Sequence, residues 1–132
     1  MEHPRTSVRV VYDASVLVSA DRSDRAVWAD HRARLELGLA PVTTAPVVAQ
    51  VSRSHSQAQL RRFLRGCVVV SFAPDEAHVV GALLAKAGSS DVTDGHVVTV
   101  AASAGATLLT ADVDDLARLS ACLDTPVNIV RI

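Results

Sequence analysis

The apolar residues of this 132-residue chain follow two alternating patterns. Short runs rich in β-branched residues predict strands, whereas longer segments with apolar residues three or four positions apart predict amphipathic helices. The run 67–72 (CVVVSF) is apolar almost throughout, which is typical of a strand buried on both faces of a parallel sheet. The predicted strands are 8–12, 42–44, 67–72, 107–110 and 127–132.

Capping residues, prolines and glycines set the boundaries of the predicted helices. Asp24 can cap the first long helix, Ser56 a second one, and Ser89 or Ser90 a later one. The stretch 15–18 either continues the first strand or begins a short helix. The predicted helices cover 24–39, a segment that starts at Pro46, 56–65, 74–87, 89–104 and 112–120.

The order of these elements predicts the fold class. Alternating strands and helices are typical of α/β domains with a parallel sheet. We therefore expect a single domain over residues 1–132, a three-layer α/β/α sandwich with a mostly parallel central sheet. No apolar run approaches the roughly 20 residues that span a bilayer, and the amino terminus lacks the pattern of a signal peptide. We expect a cytoplasmic protein without a membrane segment, in which Cys67 and Cys122 are buried, reduced thiols.

The net charge of −1 conceals an uneven distribution of charged residues. Residues 37–74 contain no Asp or Glu, but they contain Arg53, Arg61, Arg62 and Arg65. Because guanidinium groups bind phosphate well, this basic middle of the chain can contact a nucleic-acid backbone. It can equally be the solvated face of a helix whose apolar residues are buried.

Four aspartates fall where predicted strands end or predicted helices begin. Asp13 follows the first strand, Asp112 follows the strand 107–110, and Asp91 and Asp94 lie in the first turn of a helix. Taken singly, each is explained as a helix cap or a turn residue. Because ligands of parallel sheets bind beyond the carboxyl ends of the strands, the four can also meet at one site. Such carboxylates repel each other unless a cation neutralises them, and oxygen ligands suit Mg²⁺ or Mn²⁺.

Three segments of the chain resemble a known family. VVYDASVLVSA, APVVAQ and SSDVTDGHVVTVAASAGATLLTADVDDL are similar to PIN domains, and most closely to the VapC-type ribonuclease toxins of bacterial toxin–antitoxin pairs. The most specific part is DGHVV…GATLLTAD, in which an acid opens a helix and Thr-x-Asp closes the next strand. The arginine-rich, lysine-poor composition is also typical of a high-GC, actinobacterial genome.

The resemblance implies a PIN-like fold and a Mg²⁺-dependent endoribonuclease, with Mn²⁺ as an alternative metal. It implies that Asp13 is the first metal ligand, that Asp94 is the principal acid of the later helix, and that Asp112 completes the catalytic cluster. Ser15 and Thr110 would support this cluster by hydrogen bonding.

Gln50 departs from the pattern that the resemblance implies. The family usually has a Glu in this helix, and Gln keeps an oxygen but removes a negative charge. Gln50 is therefore expected to be a weak metal ligand. Asp91, one helical turn before Asp94, is either an additional ligand that compensates or a cap. The sequence therefore favours one metal ion over two.

The resemblance further implies a homodimer and a complex with a small VapB-like antitoxin. Two alternatives to an RNA-cleaving toxin stay open. One is a PIN-like module that has lost catalysis through Gln50 and binds RNA or protein. The other, more remote, is a receiver domain phosphorylated on Asp. A receiver needs a Lys near its last strand, and Lys86 lies inside a predicted helix.

Overall fold

The computed structural model describes residues 9–132. Within this range, five strands form one sheet in which every neighbouring pair is parallel, as the sequence predicts. Residue 8, the predicted start of the first strand, lies outside the described range. The strands are β1 (Val10–Tyr12), β2 (Val42–Thr44), β3 (Val68–Val70), β4 (Thr107–Thr110) and β5 (Asn128–Arg131).

Helices cover both faces of the sheet and complete the predicted three layers. The first of them contacts the next three helices, and the sixth contacts the fifth and the seventh. The stretch 15–18 is helical. The helices described are α1 (Ala14–Asp21), α2 (Arg25–Glu36), α3 (Ala45–Val51), α4 (Ala58–Leu64), α5 (Pro74–Ala87), α6 (Val92–Ala104) and α7 (Val113–Ser120).

The strand order of the sheet is β3-β2-β1-β4-β5. The side of β1 on which new strands are added therefore changes once along the chain. From β1 the chain moves to β2 and β3 on one side, and later to β4 and β5 on the other. Since crossovers between parallel strands are right-handed, this reversal puts α1–α4 and α5–α7 on opposite faces. It also creates a topological switch point between β1 and β4. Ligands of open α/β sheets bind beyond the carboxyl ends of the strands at such a point.

The same strand order argues against the receiver alternative. Receiver domains of the CheY type have the order 2-1-3-4-5, in which β3 lies next to β1. Here β1 lies between β2 and β4, and β3 is at the edge of the sheet.

The position of β3 corrects the prediction for the run 67–72. We expected a strand buried on both faces, but the regular strand covers only Val68–Val70, and Val68 is 50% exposed. The strand lies at the edge of the sheet, where one side has no neighbouring strand within residues 9–132. Apolar character alone does not distinguish a central strand from an edge strand, because both satisfy the same local pattern.

The predicted cap Ser56 of α4 is wrong, and of the cap candidates for α6, Ser89, Ser90 and Asp91, the structure selects Asp91. The N-cap of α4 is Gln57 in place of Ser56, whose hydroxyl lies 2.9 Å from that of Ser54. The N-cap of α6 is Asp91 in place of Ser89 or Ser90. Asp91 is the cap because its carboxylate accepts a hydrogen bond from the backbone N–H of Asp94 in the first turn. The predicted cap Asp24 of α2 is confirmed by the bond from the N–H of Val27.

The two cysteines are free, but they are half-buried, in contrast to the buried thiols expected from the sequence. The Sγ atom of Cys67 lies 3.6 Å from the carbonyl oxygen of Phe63. Burial raises the pKa of the Cys67 thiol to about 12, so the thiol stays protonated at neutral pH. Among residues 9–132, no helix combines the length and the apolar character that crossing a membrane requires.

Candidate metal and RNA site

Asp13 lies at the carboxyl end of β1, at the switch point of the sheet. It takes the N-cap position of α1, but its side chain makes no capping hydrogen bond. The residue is only 4% exposed. A buried carboxylate is unfavourable unless hydrogen bonds or a cation compensate it. Helix capping therefore does not explain why an aspartate occupies position 13, although capping was the simpler interpretation of this residue from the sequence.

Thr110, at the end of β4, holds Asp13 in place. Its hydroxyl donates to Oδ2 of Asp13 at 2.7 Å. The Oγ1 atom of Thr110 also accepts a hydrogen bond from the backbone N–H of Asp112 at 2.8 Å. Because a hydroxyl has one proton, these two bonds fix its orientation. Ser15 Oγ accepts from the N–H of Ala111 at 2.8 Å and lies 3.5 Å from Oδ2 of Asp13. The proposed supporting roles of Thr110 and Ser15 rest on these contacts.

The environment of Asp13 disfavours its charged form. Burial raises the pKa of this carboxyl, and the charge of Asp112 raises it further. The hydrogen bonds from Thr110 and from the N–H of Ala14 act in the opposite direction, but they do not cancel the effect of burial. A neighbouring cation would remove this disadvantage of the carboxylate.

Asp94 reaches the same region from the first turn of α6. The residue after it, Gly95, lets α6 approach α5 closely. A Cβ at Gly95 would lie 2.9 Å from Cδ2 of Leu84 and 3.0 Å from Cγ1 of Val80. The close packing of α6 on α5 thereby sets the position of the Asp94 carboxylate.

Several acidic groups act on Asp94 together. Its pKa is raised to about 7, first by burial and then by the charges of Asp91, Asp13 and Asp115. The structure thus brings Asp94 close enough to Asp13 for their charges to interact. Near neutral pH this carboxyl exchanges its proton, or accepts a cation in its place.

The other two predicted acids differ in their surroundings. Oδ1 of Asp91 accepts the N–H of Asp94 at 3.0 Å, so Asp91 caps α6. This contact is the capping alternative considered from the sequence. Asp112 is exposed at the N-cap of α7 and makes no capping bond with its side chain.

Asp115 is a member of this acidic group that the sequence interpretation missed. It lines a cavity of about 160 Å³ together with Asp91, Asp94 and Arg118, and it pairs with Arg118 at 3.3 Å. Asp115 follows Asp112 by three residues in a predicted helix, the same spacing that was noted for Asp91 and Asp94. This three-residue spacing could have identified Asp115 as a member of the acidic group from the sequence.

The donor set fits Mg²⁺ in kind. Within residues 9–132, no three His, Cys, Asp or Glu side chains stand together as a ready-made metal site. Mg²⁺ does not require one, because it keeps several waters and binds through one or two carboxylates plus substrate phosphates. Asp13 and Asp94 are two such carboxylates, and both have raised pKa values that a cation would relieve. For the other predicted ligands, Asp112, Asp91 and Gln50, a role in metal binding stays a prediction.

Gln50 is exposed near the end of α3 and lies close to the start of α1. It lines a cavity of about 520 Å³ with Ala14, Arg22, Arg53 and Gln57. Ala14 directly follows Asp13, so this cavity adjoins the acidic group. Arg53, one of the arginines predicted to contact RNA, is therefore near the switch point.

The other three predicted RNA-binding arginines lie on or directly after α4, and all are exposed. Arg61 donates to the carbonyl oxygen of His55 at 2.6 Å, which holds it against the preceding loop. Arg62 lies over the ring of Trp28, with 5.8 Å between its Cζ and the ring centroid. Arg65 is the C-cap residue of α4. The structure therefore does not gather these arginines into one cluster.

Comparison with known proteins gave matches among solved structures. No family model matches the chain, and no curated protein matches it. One match is to a chain in the crystal structure of VapBC2 from Rickettsia felis. In that structure VapBC2 is bound to a DNA fragment from its own promoter. The TM-score of this match is 0.71 at 16% sequence identity, and the match covers 95% of this chain and 99% of that chain.

A second solved structure, PAE2754 from Pyrobaculum aerophilum, gives a TM-score of 0.60 at 19% identity. This match covers 92% of the present chain and 90% of the other. At such identities the likeness concerns the fold, and the actinobacterial origin stays a prediction. The strand order, the three layers and these two matches agree with the expectation from the sequence motifs. The chain has the α/β fold of the matched VapBC2 chain and of PAE2754.

Proposed function

We propose that this protein is a Mg²⁺-dependent endoribonuclease and the toxin of a toxin–antitoxin pair. The observation that carries the proposal is the buried Asp13 carboxylate at the switch point, held by Thr110 at 2.7 Å and near enough to Asp94 for its charge to help raise the pKa of Asp94 to about 7. Strongly shifted pKa values in clustered carboxylates are typical of functional sites. The likeness of fold to a VapBC2 protein supports the biological role.

In this proposal Asp13 and Asp94 hold the metal ion, and Asp112 completes the catalytic cluster. Bound Mg²⁺ would activate a water and neutralise the charge that develops on the phosphodiester. Thr110 and Ser15 keep the Asp13 carboxylate in one orientation at the end of β1. Mn²⁺ can replace Mg²⁺, because both are hard cations with oxygen ligands.

The role as a toxin implies partners. We propose that the protein acts in the cytoplasm as a homodimer, cleaves RNA, and is kept inactive by a small VapB-like antitoxin. The R. felis structure is of VapBC2 bound to promoter DNA, which supports a partner of this kind. A short neighbouring gene that encodes a DNA-binding antitoxin would support this part of the proposal.

A cleavage assay tests the nuclease. Purified protein is incubated with single-stranded RNA and Mg²⁺, with EDTA in a parallel sample, and compared with Asp13→Asn and Asp94→Asn. We expect the unmodified protein to cleave in Mg²⁺, and we expect no cleavage in EDTA or by Asp13→Asn and Asp94→Asn. Asp124→Asn, which changes an exposed aspartate of the final loop, is the matched control and should cleave normally. Cleavage that persists in EDTA or in the Asp94→Asn variant would contradict the proposal.

A PIN-like binding module without catalysis is the second candidate. Gln50 favours it, because an uncharged side chain stands where the resembled family usually has Glu, and Gln50 is exposed near Asp13. Such a module would bind RNA or protein and cleave nothing at any Mg²⁺ concentration. Cleavage in the assay above decides between the two candidates.

A further inference from the structure

A second cationic region lies between α2 and α4, apart from the acidic group. We define the α2–α4 groove as the depression of about 430 Å³ lined by Arg25, Trp28, Ala29, Arg32, Gln59 and Arg62. Two of its three arginines, Arg25 and Arg32, fall outside the basic segment that the sequence singled out. The groove becomes visible only when the two helices are packed together.

The geometry of the two helices explains how the groove forms. Arg25, Ala29 and Arg32 lie on one face of α2, because residues three, four and seven apart share a helix face. Ala29 leaves space between the two arginines. On the other side, Arg62 extends from α4 over the ring of Trp28. Its Nη1 donates a hydrogen bond to Oε1 of Gln59 at 3.0 Å.

The floor of the groove is rigid. Trp28 donates its indole N–H to the carbonyl oxygen of Ala20 at 2.9 Å, and its ring packs edge-on against Phe63 with centroids 5.1 Å apart. Phe63 is fully buried and stacks on His31 at 3.9 Å. These aromatic contacts hold the helix segments that carry the arginines next to each other.

The positive charge of the groove has no carboxylate partner among residues 9–132. Its lining contains no acidic residue. In the part of the chain that the structure describes, no carboxylate pairs with Arg25, Arg32 or Arg62. Arg25 and Arg32 are two turns, or roughly 10 Å, apart along α2. This spacing favours an extended ligand with several negative groups over a single phosphate.

The groove continues towards the acidic group. Ser23, at its edge, follows Arg22, which lines the cavity that also contains Gln50, Arg53 and Ala14. Arg22 and Arg53, in a cavity that Asp21 also lines, therefore extend the basic surface from the groove towards Ala14, the residue next to Asp13. A phosphate backbone that enters the site can contact arginines on this side of it.

We infer that the α2–α4 groove is an RNA-binding site, in which Arg25, Arg32 and Arg62 contact the phosphate backbone of the single-stranded segment that flanks the cleaved bond. This inference rests on the proposed nuclease function. The competing occupant is an acidic segment of a protein partner. RNA is favoured because Arg22 and Arg53 extend the basic surface towards Ala14, next to Asp13, and because Trp28 offers an aromatic surface next to the cations.

RNA binding by the Asp94→Asn protein, in which the substrate stays intact, tests the inference. Fluorescence anisotropy with a labelled single-stranded RNA is measured for Arg25→Gln/Arg32→Gln in this background. The control is Arg9→Gln/Lys86→Gln, which removes two exposed charges outside the groove. We expect about a tenfold loss of affinity for the groove variant only. The slope of log K against log salt should fall by roughly 1.4, or about 0.7 for each lost phosphate contact on a single strand.

The outcomes separate this inference from the proposed nuclease. RNA binding with an unchanged affinity and salt slope in the groove variant overturns the groove and leaves the nuclease intact. Weakened binding supports the groove even where the unmodified protein fails to cleave, which would overturn the nuclease alone. If the unmodified protein binds no RNA, both are overturned. A loss of affinity for an acidic peptide such as polyglutamate, with RNA binding unchanged, assigns the groove to a protein partner and overturns the inference.

Discussion

The hydroxyl of Thr110 donates a 2.7 Å hydrogen bond to Oδ2 of Asp13, and so joins the carboxyl ends of two adjacent strands whose residues are 97 positions apart. The bond is buried and one partner is a carboxylate, which makes it stronger than a neutral pair. Through it the fold fixes the orientation of the first acidic residue of the proposed site.

We predict that Thr110→Val destabilises the protein by about 1–3 kcal/mol. The substitution keeps the shape but removes the donor to Asp13 and the acceptor of the Asp112 N–H, so one buried carboxylate and one partly buried N–H lose a partner. The matched control is Thr107→Val, which removes only an exposed hydrogen bond from Asn128 and should cost less than about 1 kcal/mol. Urea unfolding measures both, and equal losses would contradict the role assigned to Thr110.

The pKa of Asp94 predicts how stability depends on pH. In the folded protein it is raised to about 7 from its ordinary value of 3.8, so the folded state binds this proton more tightly than the unfolded state. Without divalent cations, the free energy of unfolding should therefore fall as the pH rises from about 4 to 7. In Asp94→Asn this component of the fall disappears, and the variant should be more stable than the unmodified protein at pH 8.

Chemical denaturation at several pH values in EDTA measures this difference. We expect roughly 1 kcal/mol at pH 8, because solvent screens a half-buried carboxyl. Asp124→Asn, on an exposed loop, should follow the unmodified protein at every pH. An Asp94→Asn variant with the same pH profile as the unmodified protein would show that the acids do not act on Asp94 in solution.

The two glycines of the α5–α6 pair should respond to alanine in opposite ways. Gly95→Ala places a methyl group 2.9 Å from Cδ2 of Leu84 and 3.0 Å from Cγ1 of Val80, and the buried side chains have little room to move. We expect a loss of about 1–3 kcal/mol from this overpacking. Gly81→Ala lies in α5 with nothing within 4 Å of the new methyl group, and it should gain about 0.5–1 kcal/mol.

Thermal unfolding followed by circular dichroism tests both glycine substitutions. Because Gly95 follows Asp94, Gly95→Ala should also lower RNA cleavage, whereas Gly81→Ala should leave it unchanged. A Gly95→Ala protein as stable as Gly81→Ala would contradict the close approach of α6 to α5.

A buried relay of polar groups predicts the protonation state of His31. Arg34 donates to the hydroxyl of Tyr12 at 3.2 Å, so the hydroxyl proton is directed to Nδ1 of His31, 2.9 Å away. Nδ1 is then an acceptor and the ring is neutral. Burial lowers the pKa of His31, and the nearby Arg34 charge acts in the same direction.

This relay makes the protein less stable in acid. Because the pKa of His31 in the folded state lies below 6.5, the unfolded chain takes up the proton first, and stability is lost as the pH falls below about 6.5. Tyr12→Phe should cost about 1–2 kcal/mol at pH 7 and raise the pKa of His31, since the neutral form loses its donor. NMR titration of the His31 ring measures that pKa, and a value above 6.5 in the unmodified protein would refute the relay.

Gln50→Glu should strengthen metal binding. The new carboxylate would lie near Ala14, the residue next to Asp13, and it would add the negative charge that the resembled family usually has there. We expect tighter Mg²⁺ binding by calorimetry and faster RNA cleavage. Asn128→Asp adds the same charge at the amino end of β5, at the opposite edge of the sheet, and should change neither quantity. Equal Mg²⁺ affinities in Gln50→Glu and the unmodified protein would exclude Gln50 from the site.

Local pattern was sufficient for most of the elements. The strands 42–44 and 107–110 and the helix 74–87 are found at the predicted bounds, because β-branched runs, prolines and glycines act through neighbouring residues. The caps of α4 and α6 shifted by one or two residues, since several polar side chains competed for the same backbone N–H groups. Strand 67–72 was assigned to the wrong part of the sheet, because its place at the edge depends on distant strands.

The sequence by itself determined the candidate residues for chemistry: aspartates after strands, a Thr-x-Asp motif, and a basic segment free of acids. Only the tertiary structure decided which of them meet. The reversal of strand order brings Asp13 to Thr110, the packing of α6 adds Asp94 beside Asp115, and the contact of α2 with α4 places Arg62 opposite Arg32. These relationships join residues far apart along the chain, and their energies come from packing and electrostatics across elements, which no local pattern contains.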